Sequence, residues 1–246
     1  MAPLYQNVVP LDRRQHTRLK LRPPENYSFA ADFPVLPALT TEFAPLAREY
    51  PIVFLREKDD GEFVPVVLTG VPNGKNLFVD GTGTWQARYL PAYVRRYPFV
   101  YVETAPDQFT VCIDSASKLF DENTGLALFG DDNEPSNALK DVIKSLGDYQ
   151  QAVRLTKAFV QRLAAANILM EANAKADLPD GRSFVWRGFW VVDEKRFREL
   201  PEATLKEWFS SGELGLVYAH LLSVGNLGEL LRRQTDGAAP KAAASP

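Results

Sequence analysis

The side chains best suited to binding chemistry lie in one short segment, where aromatic residues are interspersed with arginines. The members of this set are Trp85, Arg88, Tyr89, Tyr93, Arg95 and Arg96. Guanidinium groups pair with anions, and aromatic rings offer flat faces to cations and to aromatic ligands. The pattern therefore predicts a binding site for a ligand or a partner protein. The alternative is structural: the arginines face water, and the residues packed on a sheet are Trp85, Leu90, Val94 and Phe99.

Side chains suited to metal binding or nucleophilic catalysis are sparse. The chain has one cysteine, Cys112, and two histidines, His16 and His220, in no metal-binding spacing. Because Cys112 has apolar neighbours and no nearby basic partner, we expect a small buried hydrophobe in a strand. His220 follows apolar residues in a predicted helix, where a hydrogen-bonded interior or boundary role is expected. The sequence thus predicts no metal and no cofactor, and it leaves catalytic residues unassigned.

Acidic and glycine-rich stretches also lack the spacing of a known site. The acidic clusters are Asp59, Asp60 and Glu62, and Asp131, Asp132 and Glu134. Neither cluster follows the ligand spacing of a calcium loop, and turn or helix-cap roles explain both. Gly81 and Gly83 lack the remaining glycines and the Gly-Lys-Ser/Thr ending of a phosphate loop.

Composition narrows the class of protein. The 246 residues are 46% apolar and 24% charged, which is typical of a globular domain. A net charge of −3 predicts no nucleic-acid binding. No apolar run reaches the length of a membrane span, and no apolar signal-peptide core follows the N-terminus. We therefore expect a cytoplasmic protein, which would reach the surface only by a route that needs no signal peptide.

Composition also divides the chain into three parts. Residues 1–50 are rich in proline and predict an extended wrapping arm with one short helix at 41–49. Residues 51–234 predict a single α+β domain. Residues 235–246 are dominated by Ala, Gly, Pro and Ser, and they predict a disordered tail.

The first half of the domain predicts short strands joined by tight turns. The predicted strands are 52–56, 63–69, 77–79, 99–103 and 108–114, with a turn at 59–61. Hairpin-length links between them favour one largely antiparallel sheet. Pro91 interrupts the stretch from about 84 to 96, so a turn before it and a helix after it are expected.

The second half predicts mainly helices. A helical stripe begins after the N-cap Ser136 and runs to residue 171, with a break expected at Gly147. A hairpin follows, with strands 173–178 and 183–192 around a turn at 179–182. Its returning strand alternates, and the residues on one face are Phe184, Trp186, Gly188, Trp190 and Val192. The remaining predicted helices are 194–200, 202–209, 214–223 and 226–233.

Several stretches resemble the SapC family of bacterial proteins, over roughly residues 3–234. They are Val9-Pro-Leu-Asp-Arg-Arg-Gln-His16, Tyr50-Pro-Ile-Val-Phe54, Asn76-Leu-Phe-Val-Asp80, Leu90-Pro-Ala-Tyr-Val-Arg-Arg-Tyr-Pro-Phe99, Phe189-Trp-Val-Val-Asp-Glu194 and Tyr218-Ala-His-Leu-Leu-Ser-Val-Gly-Asn226. Together these stretches form a specific pattern. The peptide-transporter permease that shares the label is a different protein, since this chain shows no membrane-spanning run.

The resemblance implies a functional setting and names no catalytic residue. The family name comes from a surface-layer locus, which implies association with the cell envelope. Family members tend to neighbour genes for TonB-dependent receptors, flavin-dependent tryptophan halogenases and cupin-like proteins. That setting implies an accessory role in the uptake or modification of an imported compound.

Three functions are compatible with the sequence. The first is a non-enzymatic accessory protein that binds a protein partner. The second is a small-molecule-binding domain or a cofactor-free enzyme, with a pocket between the sheet and residues 85–97. The third is a structural component of a surface layer.

Overall fold

Three antiparallel sheets and one long helix organise the chain. This computed structural model describes residues 4–57, 61–177, 181 and 183–236. Its strands are β1 (Val8–Pro10), β2 (Lys20–Leu21), β3 (Val35–Pro37), β4 (Ile52–Arg56), β5 (Phe63–Leu68), β6 (Phe99–Ala105), β7 (Gln108–Asp114), β8 (Phe120–Asp121), β9 (Leu126–Ala127), β10 (Leu169–Asp177) and β11 (Ser183–Val192).

Seven α-helices are found among the described residues, and most of them lie in the second half. They are α1 (Phe43–Leu46), α2 (Ala92–Arg95), α3 (Asn137–Ala165), α4 (Glu194–Arg198), α5 (Glu202–Ser211), α6 (Glu213–Ser223) and α7 (Leu227–Asp236). Short 3₁₀ turns occur at Ser28–Ala30, Thr40–Glu42 and Val224–Asn226. The predicted α+β class, with antiparallel sheets and a helical C-terminal region, is confirmed.

The largest sheet has the strand order β10-β11-β4-β5-β3. Its central strand β4 carries Ile52, Val53 and Phe54, all fully buried. Successive side chains of a strand point to opposite faces, so both faces of the sheet are covered. Residues of α3, α6 and α7 belong to the same core.

The remaining strands form two smaller sheets. β7 lies between β1 and β6, and β2 lies between β8 and β9. Each of the three sheets therefore contains one strand from the first 50 residues, since β3 joins the largest sheet. The predicted domain boundaries at 50 and 234 stay predictions.

The helix α3 connects two hydrophobic cores. Leu139 and Leu146 pack in the core of the β1-β7-β6 sheet, whereas Phe159 and Leu163 pack in the main core. At 1.5 Å per residue its 29 residues extend for about 43 Å. Ser136 caps its first turn, because the Ser136 hydroxyl oxygen accepts a hydrogen bond from the Leu139 N–H at 3.2 Å.

The predicted break at Gly147 and the predicted helix end at 171 are both wrong. Gly147 is exposed and the helix continues through it, because apolar residues on both sides are anchored in a core. The helix ends at Ala165, and Asn167 then adopts the left-handed conformation at φ 53°. The chain reverses there, and Leu169 already belongs to β10.

The predicted single sheet of five strands is also wrong. The hairpin β4–β5 forms as predicted, but the hairpin β6–β7 belongs to a separate sheet. Residues 77–79 make only an isolated bridge between Val79 and Trp85. The Asp80 carboxylate accepts the backbone N–H groups of Thr82 and Thr84 at 2.9 and 3.0 Å, which holds the chain in a turn rather than a longer strand.

Two predicted helices are shorter than expected. Only Ala92–Arg95 is helical in the stretch from 84 to 96, as the position of Pro91 predicts. The helix expected at 41–49 is the 3₁₀ turn Thr40–Glu42 followed by α1. The predicted turns at 59–61 and 179–182 fall on segments of which the structure describes only Gly61 and Gly181.

A β-bulge overturns the alternation predicted for β11. The pairing with β10 shifts between Ala172 and Ala174, where β11 has one extra residue. Gly188 lies in this bulge at φ 70°, a conformation that glycine adopts without strain. Trp186, Phe189 and Val192 are consequently the buried residues of the strand.

The end of the described chain contains one apolar helical segment. Within the described ranges, Glu213–Thr235 alone is long and apolar enough to cross a membrane by length and composition. Its best window has a mean hydropathy of 1.3 and is 22% buried. Core helices of soluble proteins pass the same test, so this is weak evidence for a span. The expectation of no membrane span stays a prediction.

Candidate functional site

Polar side chains of the 3₁₀ turn Thr40–Glu42 and of the residues that follow α1 hold the predicted binding segment in place. The Glu49 carboxylate accepts the backbone N–H of Arg88 at 2.9 Å and that of Tyr89 at 3.3 Å. The Tyr50 hydroxyl donates to the Tyr89 carbonyl at 2.6 Å and accepts from Trp85 Nε1 at 3.0 Å. Trp85 therefore has a structural hydrogen bond, and the side chain of Arg88 is exposed.

Glu42 is the centre of this polar network. Its Oε1 accepts from the Tyr89 hydroxyl at 2.8 Å and from the Ala92 N–H at 2.7 Å, and it lies 3.5 Å from Arg95 Nη2. Its Oε2 is buried and has no hydrogen-bond partner. Only 4% of the side chain is exposed. Burial raises the pKa of Glu42 above its usual value, although the hydrogen bonds from Tyr89 and Ala92 oppose the shift.

Arg96 lies among three tyrosine rings. Its guanidinium carbon is 4.4 Å from the ring centroid of Tyr149, 4.7 Å from that of Tyr93 and 5.6 Å from that of Tyr5. These are cation–π distances. In the described part of the chain, no carboxylate lies within ion-pair distance of Arg96, and its Nε is buried without a hydrogen-bond partner. Burial raises the pKa of Tyr149 to about 12, so this tyrosine stays neutral beside the cation.

The N-terminal stretch brings Tyr5 to this cluster. The Asp114 carboxylate, at the end of β7, accepts the backbone N–H groups of Gln6 and Asn7 at 3.0 and 2.9 Å. The Tyr5 hydroxyl donates to the Phe99 carbonyl at 2.9 Å. These contacts hold the Tyr5 ring over the guanidinium of Arg96.

A cavity of about 260 Å³ opens between the 3₁₀ turn Thr40–Glu42, α2 and the middle of α3. Glu42 and Arg96 line it together with Tyr149. Arg95, Ser145 and Asp148, which are exposed, also line it. The cavity is therefore lined by a buried carboxylate, that of Glu42, and by a guanidinium, that of Arg96, which has no carboxylate partner among the described residues.

The far wall of the cavity is held in place by buried threonines. Thr156 of α3 accepts the Thr40 N–H at 2.9 Å and donates its own hydroxyl to the Ala152 carbonyl at 2.7 Å. Both threonines are buried. Because Thr40 opens the turn that carries Glu42, this contact fixes the distance between Glu42 and α3.

The predicted set of six residues divides between two roles. Tyr89, Tyr93, Arg95 and Arg96 gather around the cavity or its polar network. Trp85 and Arg88 do not line it. Sequence reasoning missed Glu42, Asp148, Tyr149 and Tyr5, because each is remote in sequence from residues 85–96 and carries no motif. The only signal was the position of Glu42 in a short predicted helix.

A larger cleft of about 570 Å³ lies elsewhere, between Phe29, Tyr97 and Lys118. Its charged side chains, such as Glu25 and Lys118, are exposed, and Arg22 is half-buried. It contains no buried carboxylate, so its chemistry is less defined than that of the Glu42 cavity.

The other candidate groups have structural roles. His220 is buried and hydrogen-bonded at both ring nitrogens. Cys112 is buried in β7, and burial raises its pKa. No cluster of three or more His, Cys, Asp or Glu suitable for a metal occurs among the described residues.

Comparison with protein families identifies the chain. The family model named SapC matches residues 11–230, which is most of the chain. The protein belongs to the SapC family. Comparison with curated proteins and with solved structures found no match. The range matched by the SapC family model includes Glu42, Arg95, Arg96 and Tyr149, whereas Tyr5 lies before it.

Proposed function

We propose that this SapC-family protein is a non-enzymatic accessory protein that binds a small polar ligand in the cavity beside Glu42 and Arg96. The observation that carries the proposal is that one cavity is lined both by Glu42, a buried carboxylate, and by Arg96, which has no ion-pair partner among the described residues. Glu42 Oε2 is buried without a donor, and Arg96 Nε is buried without an acceptor. A polar ligand in the cavity would supply charged or hydrogen-bonding groups to these two side chains.

Energetics support this view. A buried polar atom without a hydrogen-bond partner costs about 1–3 kcal/mol, and more when the group is charged. The same residues could be replaced by apolar ones if the network served packing alone. A binding role accounts for a carboxylate that is only 4% exposed and that lines the same cavity as Arg96.

The cavity offers little for covalent chemistry. The residues described along its walls include no cysteine or histidine. Nucleophilic catalysis usually needs a nucleophile and a base in hydrogen-bond contact. This composition supports binding rather than turnover.

A cofactor-free enzyme is the second candidate, and the pKa of Glu42 favours it. A carboxyl group whose pKa is raised by burial in a cleft can act as a general acid. Once a ligand is known, a binding protein and an enzyme predict different fates for it. An enzyme would convert that ligand and lose turnover in Glu42→Gln, whereas a binding protein would return it unchanged, as chromatography of the incubated mixture would reveal.

A screen with matched variants tests the proposed function. Polar metabolites would be screened by thermal shift against the unmodified chain, Arg96→Met and Arg88→Met. A ligand at 100 times its dissociation constant should add ~2.7 kcal/mol to the free energy of unfolding. Arg96→Met should abolish the shift and Arg88→Met should keep it, because Arg88 does not line the cavity. A screen without stabilising compounds, or equal shifts in both variants, contradicts the proposal.

The wider setting is also a proposal, and the family resemblance supports it. We place this protein in an accessory role near the envelope, in the uptake or modification of an imported compound. A cytoplasmic location and a protein partner fit that role. Fractionation of native cells and mild co-purification test them, and ordered extracellular self-assembly would favour a surface-layer component instead.

A further inference from the structure

We propose that the cleft of about 570 Å³ beside Arg22 is a second binding site, whose ligand is an organic anion with a carboxylate or phosphate group on an apolar body. No described residue lines both this Arg22 cleft and the Glu42 cavity. The inference therefore goes beyond the proposed function and does not depend on it.

Two cationic residues are neighbours in the Arg22 cleft. The Arg22 N–H donates to the Leu119 carbonyl at 2.9 Å, and Arg22 Nη2 donates to the Lys118 carbonyl at 2.8 Å. The guanidinium is thus held against the backbone of the residue that carries the second cation. Both residues line the cleft, where Arg22 is half-buried and Lys118 is exposed. Since a lysine side chain is long and flexible, its ammonium can approach the same bound group as the guanidinium.

Neither positive charge is neutralised by an ion pair. In the described part of the chain, no carboxylate lies within ion-pair distance of Arg22 or Lys118. The nearby Asp121 carboxylate accepts two backbone N–H groups of its own loop instead. Glu25 also lines the cleft but is exposed, so the lining carries two positive charges against one negative charge. A guanidinium binds carboxylate and phosphate groups well, because its N–H groups match the positions of their oxygen atoms.

An apolar wall completes the lining of the cleft. Phe29 and Tyr97 line it with their rings stacked at a centroid distance of 4.4 Å and an interplanar angle of 23°. Both residues are half-buried, so each keeps accessible apolar surface. Pro23 and Leu119 also line the cleft. A ligand with an apolar body would remove this surface from water while its charged group meets the cations.

The volume of the cleft limits the size of the ligand. About 570 Å³ lies within the range of roughly 300–1,000 Å³ that is typical for sites of small organic ligands. A free phosphate or acetate ion would contact the cations but leave the apolar wall in water. Size and lining together therefore favour an organic anion over a bare inorganic ion.

Fluorine NMR with a matched probe series tests the proposal. The full chain would be titrated into para-fluorophenyl phosphate, para-fluorophenylacetate and the uncharged para-fluorobenzyl alcohol, with inorganic phosphate as a competitor. At least one of the two organic anions should bind about tenfold or more tightly than the alcohol, which lacks the charged group. Inorganic phosphate should bind about tenfold or more weakly than the better organic anion, because it lacks the apolar ring. The better of the two organic anions identifies the charged group.

Charge variants locate the bound probe. Lys118→Met should weaken binding of the better anion about two- to fivefold, whereas Lys140→Met, exposed on α3 and absent from the cleft lining, should not change it. Arg22→Met should weaken it about tenfold, since the half-buried guanidinium is held in position before the anion arrives. Glu25→Gln should strengthen it about two- to fivefold, because a repelling charge is removed. If Arg22→Met fails to fold by circular dichroism, the lysine pair and Glu25→Gln decide.

The outcomes also separate the Arg22 cleft from the Glu42 cavity. The proposal is wrong if the alcohol or inorganic phosphate binds as tightly as the better organic anion, or if the two lysine variants behave alike. A probe that is lost in Arg96→Met but retained in Lys118→Met occupies the Glu42 cavity, which overturns this proposal and leaves the proposed function standing. Binding that depends on Lys118 but not on Arg96 supports the proposal, whatever ligand the Glu42 cavity takes.

Discussion

His220 takes the place of a ladder hydrogen bond at Val192. The pairs Phe189–Leu55 and Trp190–Phe54 set the register in which Val192 of β11 would next meet Ile52 of β4. The imidazole lies between them instead. Nε2 accepts from the Val192 N–H at 3.0 Å, so the proton is on Nδ1, which donates to the Ile52 carbonyl at 2.9 Å. Helix α6 is thereby fastened to two strands of the main core.

This arrangement makes stability depend on pH. Burial lowers the pKa of His220 from 6.5 to about 4, although the hydrogen bond to the Ile52 carbonyl opposes the shift. The unfolded chain therefore binds a proton between pH 6.5 and 4 that the folded chain does not. The contribution of His220 to the free energy of unfolding should be fully present well above pH 6.5. It should fall by about 3 kcal/mol as the pH decreases to 4.

Urea denaturation at intervals between pH 4 and 7.5 measures this loss. His220→Gln should be less stable at pH 7.5 but should show a smaller decline, since its amide does not titrate. Parallel curves for the two proteins would exclude His220 as the source of the pH dependence.

Tyr50 should be needed for the position of the binding segment. Tyr50→Phe removes the hydroxyl that bonds the Tyr89 carbonyl and Trp85 Nε1. Two polar atoms then lose their partner, and we expect a loss of about 1–3 kcal/mol in the free energy of unfolding. Tyr27→Phe is the matched control, because its ring contacts Trp85 and its hydroxyl has no hydrogen bond among the described residues. Equal stabilities for the two variants would contradict the prediction.

Two glycines should respond to alanine in opposite directions. Gly147 lies on an exposed face of α3 with nothing near an added methyl group, so Gly147→Ala should stabilise by about 0.5–1 kcal/mol. Gly188 lies at φ 70° in the bulge of β11, so Gly188→Ala should destabilise by about 1–2 kcal/mol. Thermal denaturation of the two variants measures both changes in stability. If both variants were stabilised, or both destabilised, the result would contradict either the bulge at Gly188 or the unbroken helix at Gly147.

Thr156 should connect stability to ligand binding. Thr156→Val keeps the shape but leaves the buried Thr40 N–H without its acceptor, at a cost of about 1–3 kcal/mol. Because the same turn carries Glu42, affinity for a cavity ligand should also fall. Thr156→Ser keeps the hydroxyl and serves as the control. Unchanged affinity in the valine variant would show that Glu42 is held independently of α3.

Local patterns were sufficient for much of the fold. Ser136 and Asp193 begin helices as predicted, because each side-chain oxygen accepts N–H groups two or three residues later. The hairpin β4–β5 forms from two apolar runs close in sequence. Such signals act within a few residues, and so they are visible in the chain itself. The resemblance to the family was visible for a similar reason, since the stretches that carry it are short and contiguous.

Long-range packing determines how the strands are divided among sheets and which residues surround Glu42. No local rule assigns β6 and β7 to a different sheet from β4 and β5, since that choice depends on which faces α3 covers. The contact between Glu42 and Ala92 joins residues 50 positions apart. The pKa of Glu42 is raised by burial, and burial arises only when distant elements enclose the side chain. Sequence alone therefore identified Arg95, Arg96, Tyr89 and Tyr93, whereas Glu42, Tyr149 and Tyr5 joined them only in the folded chain.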